Sequence, residues 1–314
     1  MGASIAALAG TLYFVDRDQV WRSLRQMQPG WLALTLAVLL AQFVVMATRW
    51  WFFARKVSAP LPYSCALTEY FLSGFLNQVL PFGILGDVTR AVRHSQAARN
   101  DANPGANNAR VVLAIVLERG AGQLGLWLVV AAILPTWWAA GNSLPGHSLA
   151  IGLLVSAIVV ALMVVAGVAW QRRKATPEWK QLMSEGLHAM FAPINMATHL
   201  PLSLLLVASH TLAFVVIAHG MGLALPFSLA IRLVPLVLVA TTLPLFMAGW
   251  GVREATLAGL YHLAGLRGAE GVTIALVYGC LSLLASTPGI LALRRNTDGR
   301  GLYANRHQRT TAVR

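Results

Sequence analysis

Apolar runs near 1–14, 31–53, 63–86, 110–135, 148–170, 199–219, 226–248 and 270–293 dominate this chain. A helix crosses the hydrocarbon core of a bilayer with about 20 apolar residues, and most of these runs reach that length. Backbone in lipid must satisfy its own hydrogen bonds, which restricts what can span. The rest of the composition agrees. Hydrophobic residues make up 57% of the 314 residues and charged residues only 11%, with a mean hydropathy of +0.64. A soluble domain carries about 25% charge. The expected fold is an all-α polytopic integral membrane protein, with no room for a soluble catalytic domain.

The first run, Met1 to Phe14, is short at about 21 Å of helix. It lacks a basic leading region, so a cleaved signal is not expected despite Ala7-Leu8-Ala9. Two other runs are broken. The stretch 63–86 carries Glu69, Asn77 and Gln78, then Pro81, Gly83 and Gly86. The stretch 226–248 carries Arg232, Pro235 and Pro244, followed by Gly249 and Gly251. Polar and helix-breaking residues at depth belong where backbone is buried in protein or lines a wet cavity. Both stretches are therefore expected to re-enter rather than cross.

Charge tests that expectation. Lys and Arg outnumber Asp and Glu 24 to 11, a net +13. On a membrane protein such an excess marks cytoplasmic loops rather than a nucleic-acid partner. With six crossings, two re-entrant hairpins and the N-terminus inside, 16 basic residues fall inside and 5 outside. With eight crossings the better orientation gives 13 against 8 and exports the Arg-rich tail, 294–314. Six crossings fit better. Both termini are then expected on the cytoplasmic side of a bacterial-type inner membrane, with the tail disordered.

The broken runs resemble each other: Leu80 to Arg90 lies over Leu243 to Arg253 with a one-residue slip. The membrane domain, 1–293, so divides into halves 1–135 and 148–293, each with three crossings and one hairpin. An odd number of crossings inverts the second half, the inverted-repeat plan of secondary transporters. Between the spans, 96–109 reads as a polar loop. The stretch 178–192 spaces Trp179, Leu182, Met183, Leu187, Met190 and Phe191 as an amphipathic surface helix.

Ionisable residues within apolar segments are costly and need a partner or a function. They are Arg49, Glu69, Asp87, Arg90, Glu118, Arg119, Arg232, Arg253 and Glu254. Neighbours on a helix point about 100° apart, so Glu118 and Arg119 should find partners elsewhere: Arg90 or Arg253 for the first, Asp87 or Glu254 for the second. One reading is a buried ion-pair lattice. The other is a polar path for a charged head group. In the second, fresh helix N-termini at Asp87 and near Gly251 attract anions, and Arg90 and Arg253 fork a phosphate. Asp87 can cap its own helix, which leaves the Gly251 end the freer one.

Other motifs carry less. Gly120-Ala121-Gly122-Gln123-Leu124-Gly125 spells a dinucleotide fingerprint but lies in an apolar helix with no preceding strand; close helix packing explains it. His199, His210 and His219 share one span at spacings that suit no metal. No cofactor is expected. Asp16-Arg17-Asp18 has the form of an acidic metal-binding motif of membrane-embedded glycosyltransferases, a third and weaker reading in which the protein is an intramembrane transferase.

Taken together, the motifs resemble the integral-membrane family named for the transmembrane region of lysylphosphatidylglycerol synthase, also called the flippase-like domain family. The matching pieces are Arg49-Trp50, Asn77 through Leu80-Pro81 to Gly86-Asp87 and Arg90, Glu118-Arg119, Pro244, and Gly249-Trp250-Gly251-Val252-Arg253-Glu254. The run Leu245 to Ala248 departs from the small or polar residues usual there. The resemblance implies lipid translocation by a stand-alone member without the cytosolic synthase domain. Its substrate would be a phospholipid, glycolipid or polyprenyl-linked lipid with an anionic head group. Arg49, Asn77, Asp87, Arg90, Glu118, Arg119, Arg253 and Glu254 are the expected pathway residues. Pro81, Gly83, Gly86, Pro244, Gly249 and Gly251 are the expected hinges. The alternative is a non-transporting accessory subunit of a lipid-modifying or glycosyltransferase complex.

Overall fold

The computed structural model describes residues 25, 27–80, 83–100, 108–139, 177–242 and 249–295, and their regular structure is entirely helical. Helix α1 (Pro29–Lys56) opens on a proline, whose missing N–H falls where a first turn has no partner for it. It ends with Arg55 over Trp51 and Lys56 over Phe52, at 4.6 and 5.4 Å. There follow α2 (Tyr63–Val79), α3 (Leu85–Asn100) and α4 (Asn108–Ala139). After residues that are not described come α5 (Pro177–Phe191), α6 (Pro193–Gly220), α7 (Phe227–Thr241) and α8 (Val252–Leu263). The last span, α9 (Gly268–Ser286), runs through a 3₁₀ turn into α10 (Ile290–Arg295).

Four of these are long and apolar enough to cross a bilayer: α1, α4, α6, and α9 with its continuation to Ala292. They coincide with four of the six expected crossings. The other two, near 1–14 and 148–170, lie outside the described residues. So do Asp16-Arg17-Asp18, the middle of the polar loop (101–107) and nearly all of the tail; the ends of that expected loop, 96–100 and 108–109, belong to α3 and α4 instead.

Both broken stretches form helix–break–helix units whose arms pack on each other, α2 on α3 and α7 on α8. The breaks have a backbone cause. Gly83, Gly249 and Gly251 have φ of +61°, +76° and +85°, where a side chain is strained. Gly86 serves differently: a Cβ there would strike the Ser73 carbonyl oxygen. It lets the two arms of the first hairpin touch. Pro81 and Pro244 lie outside the described residues.

The order span, short helix, break, short helix, span occurs twice, as α1 to α4 and α6 to α9. Contacts follow the same exchange. The α1 helix packs on α6, the pairing that relates each half to the other. Contacts of α4 with α6, α1 and α7 are matched by contacts of α9 with α1, α6 and α2. At the centre Trp50, Phe53, Phe214 and Ile217 are wholly buried.

Small residues set the helix spacing. Added Cβ atoms on α4 would lie 3.2 Å from Met190 at Gly120 and 2.6 Å from Ser203 at Gly125. The fingerprint-like glycines are therefore packing surfaces on one helix. The amphipathic helix α5 divides its apolar stripe: Leu182 and Met190 face α4 and α6, while Leu187 and Phe191 are exposed. Arg110 holds it to α4 through Glu185 at 3.0 Å.

One expectation about charge needs correcting. Arg90 and Arg93 counted as inner-loop cations, but α3 turns back onto α2 and holds both in ion pairs, with Arg90 fully buried and Arg93 mostly covered. Arg253, counted outside, is also buried and paired. The topological asymmetry rests on the remaining loop charges.

Candidate functional site

Glu118, one-third of the way along α4, is fully buried and receives three donors from three helices. Arg49 Nη2 of α1 lies 2.6 Å from Oε1, the Tyr70 hydroxyl of α2 3.1 Å from the same oxygen, and Arg90 Nη2 of α3 2.9 Å from Oε2. Arg49 also donates through Nη1 to Ser203 Oγ of α6 at 3.1 Å. Gly122, one turn after Glu118, makes room for it: a Cβ there would sit 2.9 Å from Nη2. The Arg90 guanidinium lies between the Trp50 and Tyr70 rings, at 4.8 and 4.6 Å. Aromatic faces attract a cation more strongly when water is absent.

Asp87 extends the cluster. It accepts from Arg90 at 3.0 Å, from Arg119 at 2.6 Å and from the Ser73 hydroxyl at 3.1 Å. Three arginines thus share two carboxylates, and the excess cation, Arg119, is the member that is 48% exposed. The expected partners of Glu118 and Arg119 on the first hairpin, Arg90 and Asp87, are found, but Arg119 Nε also comes within 4.0 Å of Glu118 Oε2, so two neighbours expected not to pair are in long-range contact. A second pair closes the hairpin lower down, where Arg93 holds Glu69 with both oxygens at 2.8 Å.

Asp87 does not cap its own helix. The first-turn N–H of Gly86 is instead taken by Asn77 Oδ1, 2.8 Å away across the break. Asn77, expected on the pathway, is a brace between α2 and α3.

In the second hairpin the freer N-terminus expected near Gly251 is occupied. Glu254 reaches back so that its Oε2 accepts from the Gly251 N–H at 2.6 Å. Its other oxygen accepts from Arg253 Nη2 at 2.6 Å and Nε at 3.1 Å. The rule that adjacent helical residues do not pair fails here, because Glu254 turns back over the first turn and meets the Arg253 side chain there. Arg253 lies over Trp250 and Tyr278, at 4.9 and 5.3 Å. Gly279 permits this approach, since a Cβ there would collide with Arg253 Nη2. Arg253 Nη1 makes no hydrogen bond to a described residue.

Arg253 lines a cavity of about 180 Å³, room for roughly six waters. The first hairpin supplies Gln78, whose Nε2 donates to Ser282 Oγ at 3.0 Å. The second supplies Thr241, Val237 and Leu238 besides Arg253. His210 of α6 and Tyr278 of α9 complete the wall. Both hairpins and two spans of the second half, α6 and α9, so meet around one small polar space.

Of the eight expected pathway residues, five (Arg49, Asp87, Arg90, Glu118, Arg119) form the first cluster. Arg253 and Glu254 form a second, and Asn77 braces a break. Among the described residues Arg90 and Arg253 share no partner. Sequence reasoning misses Tyr70, Ser73 and Ser203, which hold the first cluster, and Gly279 and Tyr278, which frame the second; it takes Trp50 only as the neighbour of Arg49 in a motif. It treats His210 only as a failed metal ligand, yet His210 faces the cavity. Gln78 stands out in the sequence only as a polar residue at depth.

The family model of the lysylphosphatidylglycerol synthase transmembrane region matches residues 1–289. No curated protein and no solved structure matches the chain. The chain belongs to the lysylphosphatidylglycerol synthase transmembrane-region family, a membrane family associated by name with lipid.

Proposed function

We propose that the protein is a transmembrane lipid translocase, moving a phospholipid, glycolipid or polyprenyl-linked lipid between leaflets. The head group passes between the hairpins while the tails stay in the bilayer. The observation that carries this reading is the cavity between Gln78 of one hairpin and Arg253 of the other. Arg253 brings a guanidinium whose charge Glu254 offsets but whose Nη1 has no described partner, an arrangement suited to a phosphate oxygen. The Glu118 cluster then holds the first hairpin while access alternates. In this proposal halves 1–135 and 148–293 are inverted repeats, the membrane is the bacterial-type inner membrane, and both termini are cytoplasmic.

Proteoliposomes holding the purified protein and a head-group-labelled anionic phospholipid test it, with dithionite quenching reading leaflet exposure. Wild type should expose the inner-leaflet label, and Arg253→Ala should not. Absence of exchange for each lipid class, with folded wild type, rejects the proposal.

The saturation of Glu118 by three donors favours a second reading, an accessory subunit whose charges only hold the fold. There Arg253→Ala would lower function only in step with protein abundance.

A further inference from the structure

His210 offers the cavity a group that the ion pairs do not. Its Nδ1 lies 2.6 Å from the carbonyl oxygen of Leu206, one turn back on α6. A carbonyl only accepts, so Nδ1 carries a hydrogen and the tautomer is set. In the neutral ring the lone pair is then on Nε2, which makes no hydrogen bond to a described residue. The ring sits beside Tyr278, with centroids 6.4 Å apart, in the wall that Arg253 also lines.

Charge accounting gives that nitrogen a task. In the empty cavity Arg253 and Glu254 cancel at 2.6 Å. An anionic head group meeting Arg253 adds one negative charge to a space of about 180 Å³ within the membrane domain. An unbalanced charge there is costly. Besides Arg253, the described groups that line the cavity with His210 supply no cation to answer it. Tyr278 and Ser282 of α9, Thr241 of α7 and Gln78 of α2 are uncharged. Arg49 of α1, which meets α6 at Ser203 two turns before His210, is held by Glu118 of α4 at 2.6 Å, and Glu185 of α5 is held by Arg110 at 3.0 Å. A proton on Nε2 restores neutrality and turns the nitrogen into a donor facing a ligand whose oxygens accept.

We infer that His210 is a proton-linked contact for a phosphate head group: an anionic lipid enters the cavity with one proton, carried on Nε2, so that lipid and proton together are neutral. No bond is broken. The proton comes from solvent and returns to it when the lipid leaves. This rests on the proposed meeting of Arg253 with the head group.

The test uses dihexanoylphosphatidylglycerol, a soluble phosphodiester that keeps one negative charge from about pH 6 to about pH 8, where an imidazole titrates. Calorimetric titration of the full chain in detergent, in two buffers of different ionisation enthalpy, counts protons taken up on binding. Wild type should take up close to one proton per probe at the alkaline end. Protonation favours binding, so affinity should fall as pH rises, approaching about tenfold per unit. His210→Gln should bind the probe more weakly, with no proton uptake and a flat pH profile. Binding by wild type without proton uptake overturns the inference and leaves the Arg253 reading standing, as does uptake that persists in His210→Gln. No binding by wild type, or binding unchanged by Arg253→Ala, overturns the cavity reading and the inference with it. The wild-type proton count needs no variant, so it decides even where His210→Gln does not fold.

Discussion

At the scale of single residues, the two clusters differ in how much protein depends on each charge. Glu118 neutralises Arg49 and Arg90 together and is their shared partner across α1, α3 and α4. Glu118→Gln leaves two buried guanidinium groups without that charge, and breaking a buried pair from one side costs about 3–5 kcal/mol. The expected outcome is a large drop in the thermal midpoint of purified protein, or loss of the protein from membranes. Arg253→Ala also breaks a buried pair from one side, but it strands one charge instead of two, and that carboxylate, Glu254, keeps the Gly251 N–H. Its melting should shift less than that of Glu118→Gln while leaflet exchange is lost. Equal destabilisation by both would argue that the second cluster is as structural as the first. The charged members of the clusters were legible because buried charge is conspicuous in an apolar run and must pair. Tyr70, Ser73 and Ser203 were not, because an aromatic ring or hydroxyl in an apolar helix has an ordinary place in a core. Only the fold shows that they point at a carboxylate or a guanidinium.

At the scale of elements, each break is held by contacts that a side chain would disrupt. Gly86 marks the closest approach of α3 to α2, and its missing Cβ would overlap the Ser73 carbonyl oxygen and crowd Asn77 Oδ1 at 2.8 Å. Backbone cannot yield as a flexible side chain can. Gly86→Ala should therefore separate the arms, break the Asn77 brace and loosen the Ser73–Asp87 contact. Gly222 is the control. It has φ of +68° and nothing within 4 Å of where a Cβ would sit, so Gly222→Ala meets only backbone strain, about 1 kcal/mol. Thermal melts should rank Gly86→Ala well below Gly222→Ala, and the reverse order would mean that the hairpin arms slide freely. The breaks themselves were readable from Pro and Gly within apolar runs. Which glycine turns the chain and which admits a neighbour was not, since both uses call for the same residue.

At the scale of the whole molecule, the repeated element order and exchanged contacts relate α1–α4 to α6–α9, and the remaining question is the relative direction of the halves. Length and hydropathy made the four described spans legible. They could not show that α3, polar enough to be taken for part of a loop, turns back to bury Arg90 against α2 and α4 and to pair Arg93 with Glu69. Direction follows from how many times the chain crosses between the halves, which chemical labelling reads. Cys65 is buried and Cys280 exposed, so both are first replaced by Ala. Single cysteines are then placed at Asn100, Gly141 and Trp250 and treated in intact cells with a membrane-impermeant maleimide. If the second half is inverted, Asn100 follows the first hairpin on the inner side, and Gly141 lies outside after α4. Trp250, at the break of the second hairpin, shares the outer face. Labelling at Gly141 and Trp250 but not at Asn100 is the expected pattern. Trp250 and Asn100 labelling from the same face would make the halves parallel. The breaks would then open toward one side, and a head group could not pass between hairpins entered from opposite leaflets.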